Sequence, residues 1–376
     1  MKQKVCIVGD GLTGLTAALF LSKLNIDIHL IAPNFEKKFK DNRTTALSRS
    51  NYNFLIKFLG EKNSKLFWPS SKINLYHQNQ NANQNFMTFE DNGKNLLYVV
   101  ENNKIKNLFK TMLKKKNNVK IFKKKIKKIN VLNSAIHFEK KKNFYDLVFL
   151  CIGKAPNIIE NLIGSRIVQN DTKQVAITTI VKHNEKNLNS SQYFFKEGPL
   201  AVLPTSKNSF SLVWSLNKNA KSKKINDLIK EKLKIILGSR KYFSFTKIDT
   251  FPISLKFNAS YAKKNILVLG EGAYSIHPIA GQGYNLILRD IKTLYTEIYN
   301  LLSIGIQLKD SQILNNFVSK RKPENFLFGI GIDFINRFFS DNKITKPFKN
   351  IILKDLNRFK LLKNISLNLS NKGIFY

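Results

Sequence analysis

Two glycine-bearing junctions in this chain have the residue types and spacing to hold an anionic ligand. The first is Gly9-Asp10-Gly11-Leu12-Thr13-Gly14. The second, some 260 residues away, runs from Gly270 to Leu286 and carries Glu271, His277, Pro278, Gly281, Gln282, Gly283 and Asn285. Glycine lets backbone approach a ligand closely, and a helix that starts there aims unpaired N–H groups and a positive dipole end at it. Two such places in one chain predict a large extended ligand held at both ends.

Each junction needs a strand before it and a helix behind it. Val5–Val8 is a short apolar strand, and the helix behind the first junction shows apolar residues at Leu15, Ala18, Leu19, Leu21 and Leu24. Ile26–Ile31 is the next strand, so the G-x-G-x-x-G run sits inside a βαβ unit, its required context. There the first glycine makes the turn, the second lets backbone reach a pyrophosphate and the third lets helix and strand pack. An acid usually ends the second strand to hold a ribose. Here that place is Ala32, followed by Pro33, with Glu36 nearby in a loop. The second junction follows an apolar strand, Asn265–Gly270, and leads into a helical pattern, Leu286–Leu294.

Between the junctions, Arg43 stands on a short loop before an amphipathic helix near Arg49–Leu59. Residues Ile73–Phe89 alternate as strands around a polar loop at His77–Asn85, and Tyr98–Asn102 precedes another helix. Lys114–Lys128 is a lysine run around the strand Val119–Phe122. Phe144–Gly153 reads as a buried strand, and Val175–Leu216 is mostly β. A helix is predicted over Ile225–Leu237, and the chain is helical from about Leu301. Asn325–Phe339 is aromatic-rich, and Ile351–Leu369 mixes lysines with Ile, Leu and Phe.

The chain has 376 residues, 43% of them hydrophobic, enough for one large or two ordinary domains with a sizeable core. No apolar run reaches the ~18–20 residues of a membrane span. Met1-Lys2-Gln3-Lys4 leads straight into a strand, which predicts no signal peptide and a cytoplasmic place, peripheral on the inner face of the membrane as a variant. Cys6 and Cys151 fall in apolar strands and read as small core residues in a reducing compartment. Net charge is +38, and 55 of the 63 basic residues are lysine. A phosphate reader would use more arginine, whose planar fork matches phosphate. The charge is therefore read mostly as compositional bias, and secondarily as attraction to an anionic membrane surface. No nucleic-acid partner and no metal site are expected.

Together these segments resemble the flavoprotein aromatic monooxygenases of the para-hydroxybenzoate hydroxylase type, most of all the ubiquinone-biosynthesis hydroxylases. The resemblance covers nearly the whole chain. It rests on Gly9–Gly14, Arg43–Leu47, Tyr98–Asn102, Tyr145–Val148, Gly198–Pro204, Val213-Trp214 and the run His277–Leu286. It implies an α/β fold: an FAD-binding, Rossmann-like domain (1–72, 98–170 and 262–300), an inserted β-rich substrate domain (73–97 and 171–261) and a C-terminal helical region (301–376). It also implies FAD as cofactor. Gly9, Gly11 and Gly14 would face the pyrophosphate, and Arg43 and Asn102 the flavin nucleotide. Gly270 and Glu271 would meet the ribityl and pyrophosphate. Gly281, Gln282, Gly283, Asn285 and Leu286 would lie against the isoalloxazine. Pro278 would border the place where the substrate ring meets the flavin, and His277 is either a catalytic candidate or a brace of the loop.

The implied reaction is hydroxylation of a polyprenylated phenol by O2, through a flavin C4a-hydroperoxide. The expected surroundings are a membrane surface and partners in a quinone-biosynthesis complex, with Phe326–Phe339 and the later basic helices facing them or simply packing. Three departures from the family pattern stand out. Glu271, Gly272 and Tyr274 replace Asp, Ala and His, with Gly272 expected to relieve crowding from the longer Glu271. Ile152 replaces an Asp tied to FAD and NAD(P)H contacts, which leaves the donor open between NAD(P)H and a ferredoxin-type protein. The losses also motivate a non-catalytic scaffold as an alternative. A flavin oxidoreductase of the geranylgeranyl reductase or halogenase kind is the other.

Overall fold

A computed structural model describes residues 2–37, 41–79, 82–139, 141–164, 167–217, 225–238, 242–310, 312–339 and 360–373. Eight helices are used below: α1 Leu12–Leu21, α2 Arg49–Leu59, α3 Asn102–Lys114, α4 Pro156–Ile163, α5 Ile225–Leu237, α6 Gln282–Ser303, α7 Ile313–Phe339 and α8 Lys360–Lys372. The earlier half of Ile351–Leu369 lies outside the described residues.

The first sheet has six strands. Ile266–Val268, Leu147–Leu150, Lys4–Val8, Asp27–Ile31 and Val119–Phe122 run parallel, in that spatial order, with Ala262–Lys263 antiparallel at one edge. A parallel sheet is covered on both faces, so its strands are apolar throughout. Val5, Cys6, Ile7, Leu147, Val148, Phe149, Leu150, Ile266, Leu267 and Val268 are accordingly buried. Both cysteines are free thiols in this core, and burial pushes the Cys151 thiol up to about 12.

The second sheet has nine strands. Its central strand, Ile167–His183, pairs with Ser209–Asn217 on one side and Asp249–Asn258 on the other. The hairpin Lys72–Asn79 and Ala82–Glu90 forms the far edge. Both hairpin strands run through the segment expected as a polar loop, with His77 opposite Gln84 and Gln78 opposite Asn83. Polar residues suit a strand at a sheet edge, so composition misled there. Tyr274–Ser275 also joins this sheet, although the sequence allotted it wholly to the cofactor-binding segment. α5 covers one face, where Trp214 is fully buried and its indole N–H reaches the Gly198 carbonyl at 3.0 Å.

A buried charge cluster fastens the C-terminal helices to the rest. Asp290 on α6 accepts from Arg321 Nε (2.6 Å) and Asn325 Nδ2 (3.1 Å) on α7. Its other oxygen accepts from the Tyr274 hydroxyl at 2.5 Å. Arg321 also pairs with Glu324, and Arg289 lies 3.7 Å from that same carboxylate. Tyr274 is therefore a partner in this cluster, and burial holds its hydroxyl protonated. Removing one member of such a cluster leaves another charge buried and unpaired. Asp290→Ala is expected to cost about 3–5 kcal/mol in urea unfolding; a loss below 1 kcal/mol would show that α7 is held by apolar contacts alone.

Candidate active site

Three loops leave the C-terminal ends of neighbouring parallel strands: Gly9–Thr13 after Lys4–Val8, Cys151–Lys154 after Leu147–Leu150, and Gly270–Gly272 after Ile266–Val268. Ligands of open α/β sheets bind in the crevice outside such strand ends. Here that crevice opens into a cavity of about 1870 Å³ that continues between the two sheets. All the sequence-predicted cofactor residues line it except Gly14, Gly270 and Leu286. His277 and Pro278 line it too.

The glycines divide by role. Gly9 has φ +128°, and an added Cβ there would lie 2.2 Å from the Cys151 carbonyl oxygen. A Cβ on Gly14 would lie 2.1 Å from the Gly9 carbonyl oxygen. These two make the turn and the strand–helix contact. A Cβ at Gly11 or Gly283 would meet nothing within 4 Å. These two face open cavity at the starts of α1 and α6, where N–H groups and helix dipoles point at a ligand. An elongated group with an anionic middle fits this cradle.

Two acids lie near the first junction and the end of the second strand. Asp10 lines the cavity, and its carboxylate accepts from the Asn34 N–H at 2.8 Å. Glu36 sits on the surface, paired with Lys114 (3.0 Å) and Lys123 (3.2 Å), so it does not replace the missing acid at Ala32. Lysines at 106, 125, 127 and 128 also line the cavity.

Arg43 holds Asp41 in a fork, Nε to Oδ1 at 2.8 Å and Nη2 to Oδ2 at 2.9 Å, and stacks 4.9 Å from the Phe251 ring centre. Despite burial, which opposes ionisation, Arg43 and Lys106 hold the Asp41 carboxyl down to about 2. Asn102 accepts from the Thr45 hydroxyl at 2.7 Å and donates its backbone N–H to the Arg43 carbonyl. Arg43 and Asn102 thus fix the wall of the cavity through one another. Glu271 is exposed on its turn and adds to the negative field at Arg43. Gly272 answers to other neighbours than Glu271: a Cβ there would meet Val268 at 2.8 Å and Ile159 of α4 at 3.0 Å.

The second junction is stapled by polar side chains. α6 begins at Gln282, four residues before the apolar pattern becomes visible, because Gly281 turns in the left-handed region at φ +62°. Leu286 is fully buried behind it in the core. His277 is 1% exposed. One ring nitrogen, Nε2, lies 2.9 Å from Gln174 Oε1, and Nδ1 accepts from the Ile279 N–H at 3.3 Å. That pattern requires the proton on Nε2. Burial lowers its pKa to about 4, so near neutrality it is an uncharged brace of the Pro278–Gly281 turn.

The far part of the cavity was not legible. Leu75, Phe86, Met87, Phe194, Leu203 and Phe339 form an apolar wall, and Asn364, Asn368 and Asn371 of α8 a polar one. The asparagine spacing i, i+4, i+7 on one helix face is the signal that would have found the second.

No family model matches the chain. It is 27% identical over 190 residues to a mitochondrial ubiquinone biosynthesis monooxygenase COQ6 of Dictyostelium discoideum, covering 49% of this chain and 38% of that protein. It is also 27% identical over 190 residues to the 3-demethoxyubiquinol 3-hydroxylase of Escherichia coli, covering 49% and 48%. The match therefore spans less than half the length of either relative. In structure, it superposes on p-nitrophenol 4-monooxygenase PnpA of Pseudomonas putida with a TM-score of 0.83, covering 100% of this chain and 99% of that one at 14% identity. The fold is that of the FAD-dependent monooxygenases. Klebsiella pneumoniae HpxO, solved with FAD and uric acid, superposes at a TM-score of 0.75 and 12% identity over 100% and 98% of the chains.

Two predictions follow from the geometry. Gly14→Ala forces a clash with backbone and is expected to cost about 1–3 kcal/mol in urea unfolding. Gly11→Ala has room for its methyl group and should cost at most about 1 kcal/mol, yet weaken binding of an anionic ligand such as a dinucleotide, because that methyl enters the cavity. Equal stability losses would refute the division of roles. The second concerns His277, whose pKa is lower folded than unfolded. The unfolded chain then takes up the proton first as pH falls, so stability is full above about pH 6.5 and is lost toward pH 4, by up to about 3 kcal/mol. Urea midpoints against pH should flatten in this window for His277→Gln relative to the parent chain. Identical slopes would mean that other groups carry the acid sensitivity.

Proposed function

We propose that this protein is an FAD-dependent monooxygenase that hydroxylates the aromatic ring of a polyprenylated phenol in ubiquinone biosynthesis. The supporting observation is the continuous cavity, which joins a phosphate cradle at Gly9–Thr13 to a chamber lined by Phe86, Phe194 and Phe339. At about 1870 Å³ it exceeds the ~300–1,000 Å³ of an ordinary ligand pocket. It has room for a dinucleotide and a second molecule together.

Bound FAD would supply the activation of O2. The chain's own residues position and enclose. Gly11 and the start of α1 receive the pyrophosphate, with Gly9 and Gly14 shaping that turn. Arg43, Asn102 and Glu271 border the ribityl side, and Gly270 sets the turn that presents Glu271. Gln282 and Gly283, at the N-terminus of α6, lie by the pyrimidine edge, where a helix dipole stabilises negative charge. Asn285 and Leu286 anchor that helix. His277 positions Pro278, which borders the ring to be hydroxylated. The apolar wall excludes water, which protects a reactive oxygen species from waste.

The parallel sheet and its loops form the cofactor domain, the nine-stranded sheet roofs the substrate, and the C-terminal helices close the side. Phe326, Leu327, Ile330 and Phe334 are exposed on α7. With the +38 charge they support peripheral attachment to an anionic membrane. No helix among the described residues is long and apolar enough to cross a membrane. Ile152, which lines the cavity in place of an acid, favours a ferredoxin-type donor over NAD(P)H.

The test is reconstitution with FAD, followed by quinone analysis in a strain lacking the gene. The expected outcome is a yellow protein, slow bleaching by NADPH alone, and accumulation of an under-hydroxylated polyprenylated ring. Protein that stays colourless with excess FAD would establish the scaffold reading instead, and an unchanged quinone profile would exclude the ubiquinone substrate.

A further inference from the structure

α8 is turned the wrong way for a helix that merely seals an apolar chamber. Asn364, Leu367, Asn368 and Asn371 line the cavity at i, i+3, i+4, i+7 spacing, joined by Ser366 and Ser370, so that Leu367 is the one apolar residue that α8 turns to it. Ile365 and Leu369 stand on the other side, 45% and 37% exposed. A passive wall would place those apolar side chains inward.

The helix is held in this orientation by a polar latch. Asn371 Oδ1 accepts from the Ser50 N–H at 2.8 Å, and its carbonyl accepts from the Ser48 hydroxyl at 3.3 Å. Arg289 donates to the Leu369 and Ser370 carbonyls, at 3.3 and 2.8 Å, a cation placed at a helix C-terminus. The Ser48 N–H in turn donates to Asn285 Oδ1. The latch therefore ties α8 to the point where α6 begins. Asn364 and Asn371 stand about 10 Å apart along the helix, seven residues at the helical rise.

We propose that Asn364 and Asn368 form a polar subsite that orients the ring of the substrate. This rests on the hydroxylase reading above. A carboxamide both donates and accepts, so it receives hydroxyl and methoxy oxygens alike. The apolar chain of the substrate lies against Phe86, Phe194 and Phe339, which line the same cavity. A ring that already carries a second oxygen gains a hydrogen bond from this subsite that a bare monophenol does not make.

The experiment compares the full FAD-loaded chain with Asn364→Leu/Asn368→Leu and Asn364→Gln/Asn368→Gln. Both positions are exposed, so the fold tolerates them. The probes are 3-methoxyphenol and 3-ethylphenol, which share a shape and differ by one oxygen, titrated against flavin absorbance. The parent chain should prefer 3-methoxyphenol. The leucine pair should bind it about tenfold more weakly, the worth of a lost hydrogen bond, and bind 3-ethylphenol unchanged, while the glutamine pair retains the preference. An unchanged preference in the leucine pair, or an equal loss for both probes, would overturn the subsite. Thermal shift with the same probes on FAD-free chain reads the subsite separately, so failure to bind FAD would strike only the hydroxylase reading.

Discussion

The carboxamide of Asn285 uses every hydrogen-bonding position it has, and the cavity's shape depends on it. Its nitrogen donates to the Ala46 and Gly281 carbonyls at 2.8 and 3.2 Å. Its oxygen accepts from the Ser48 N–H and from Asn51 Nδ2, both at 2.9 Å. One buried side chain thereby joins the start of α6 to the strand Thr44–Ser48 and to α2. The left-handed turn at Gly281, the aim of the first N–H groups of α6 and the seat of α8 at Ser48 and Ser50 all follow. A half-satisfied amide here would cost more than an apolar residue, which is why such a junction is all or nothing.

The sequence exposes those parts of this arrangement that are local. Strand, glycine turn and helix succeed one another along the chain at Gly9–Gly14, so the βαβ unit and the roles of Gly9 and Gly14 can be read from order and spacing. Strand pairing at the hairpin edge could not, because the polar residues between His77 and Asn85 carry a loop composition while their backbone groups pair across it. Nor could the partners of His277: Gln174 stands 103 residues earlier in the chain. The asparagines of α8 were hidden for the same reason, since their meaning comes from a cavity wall that only tertiary structure brings opposite them.

Departures from the family pattern separate into two kinds once neighbours are visible. Tyr274 reaches Asp290 in a buried charge cluster, and Gly272 makes space for Val268 and Ile159. Both answer to packing behind the loop, and neither alters what faces the cavity at Gly281–Gly283. Ala32 and Ile152 differ: they stand where an acid would meet a ligand, and Glu36 is occupied by Lys114 and Lys123. The acid that remains near this end is Asp10, engaged by the Asn34 N–H, and the cavity wall adds lysines, which shifts the balance toward positive charge.

That shift changes what holds a dinucleotide. Attraction between lysines and a pyrophosphate is long-range and screened by salt, whereas a ribose–carboxylate hydrogen bond is short-range and largely indifferent to it. With Lys106, Lys125, Lys127 and Lys128 on the cavity wall, the proposed dinucleotide would be held by field as well as by contact. Orientation must then come from the other end of the ligand, where Asn285, His277 and the latch of α8 are rigid and satisfied. On the proposed reading, geometric precision lies at the end where the chemistry takes place, and charge contributes more at the other.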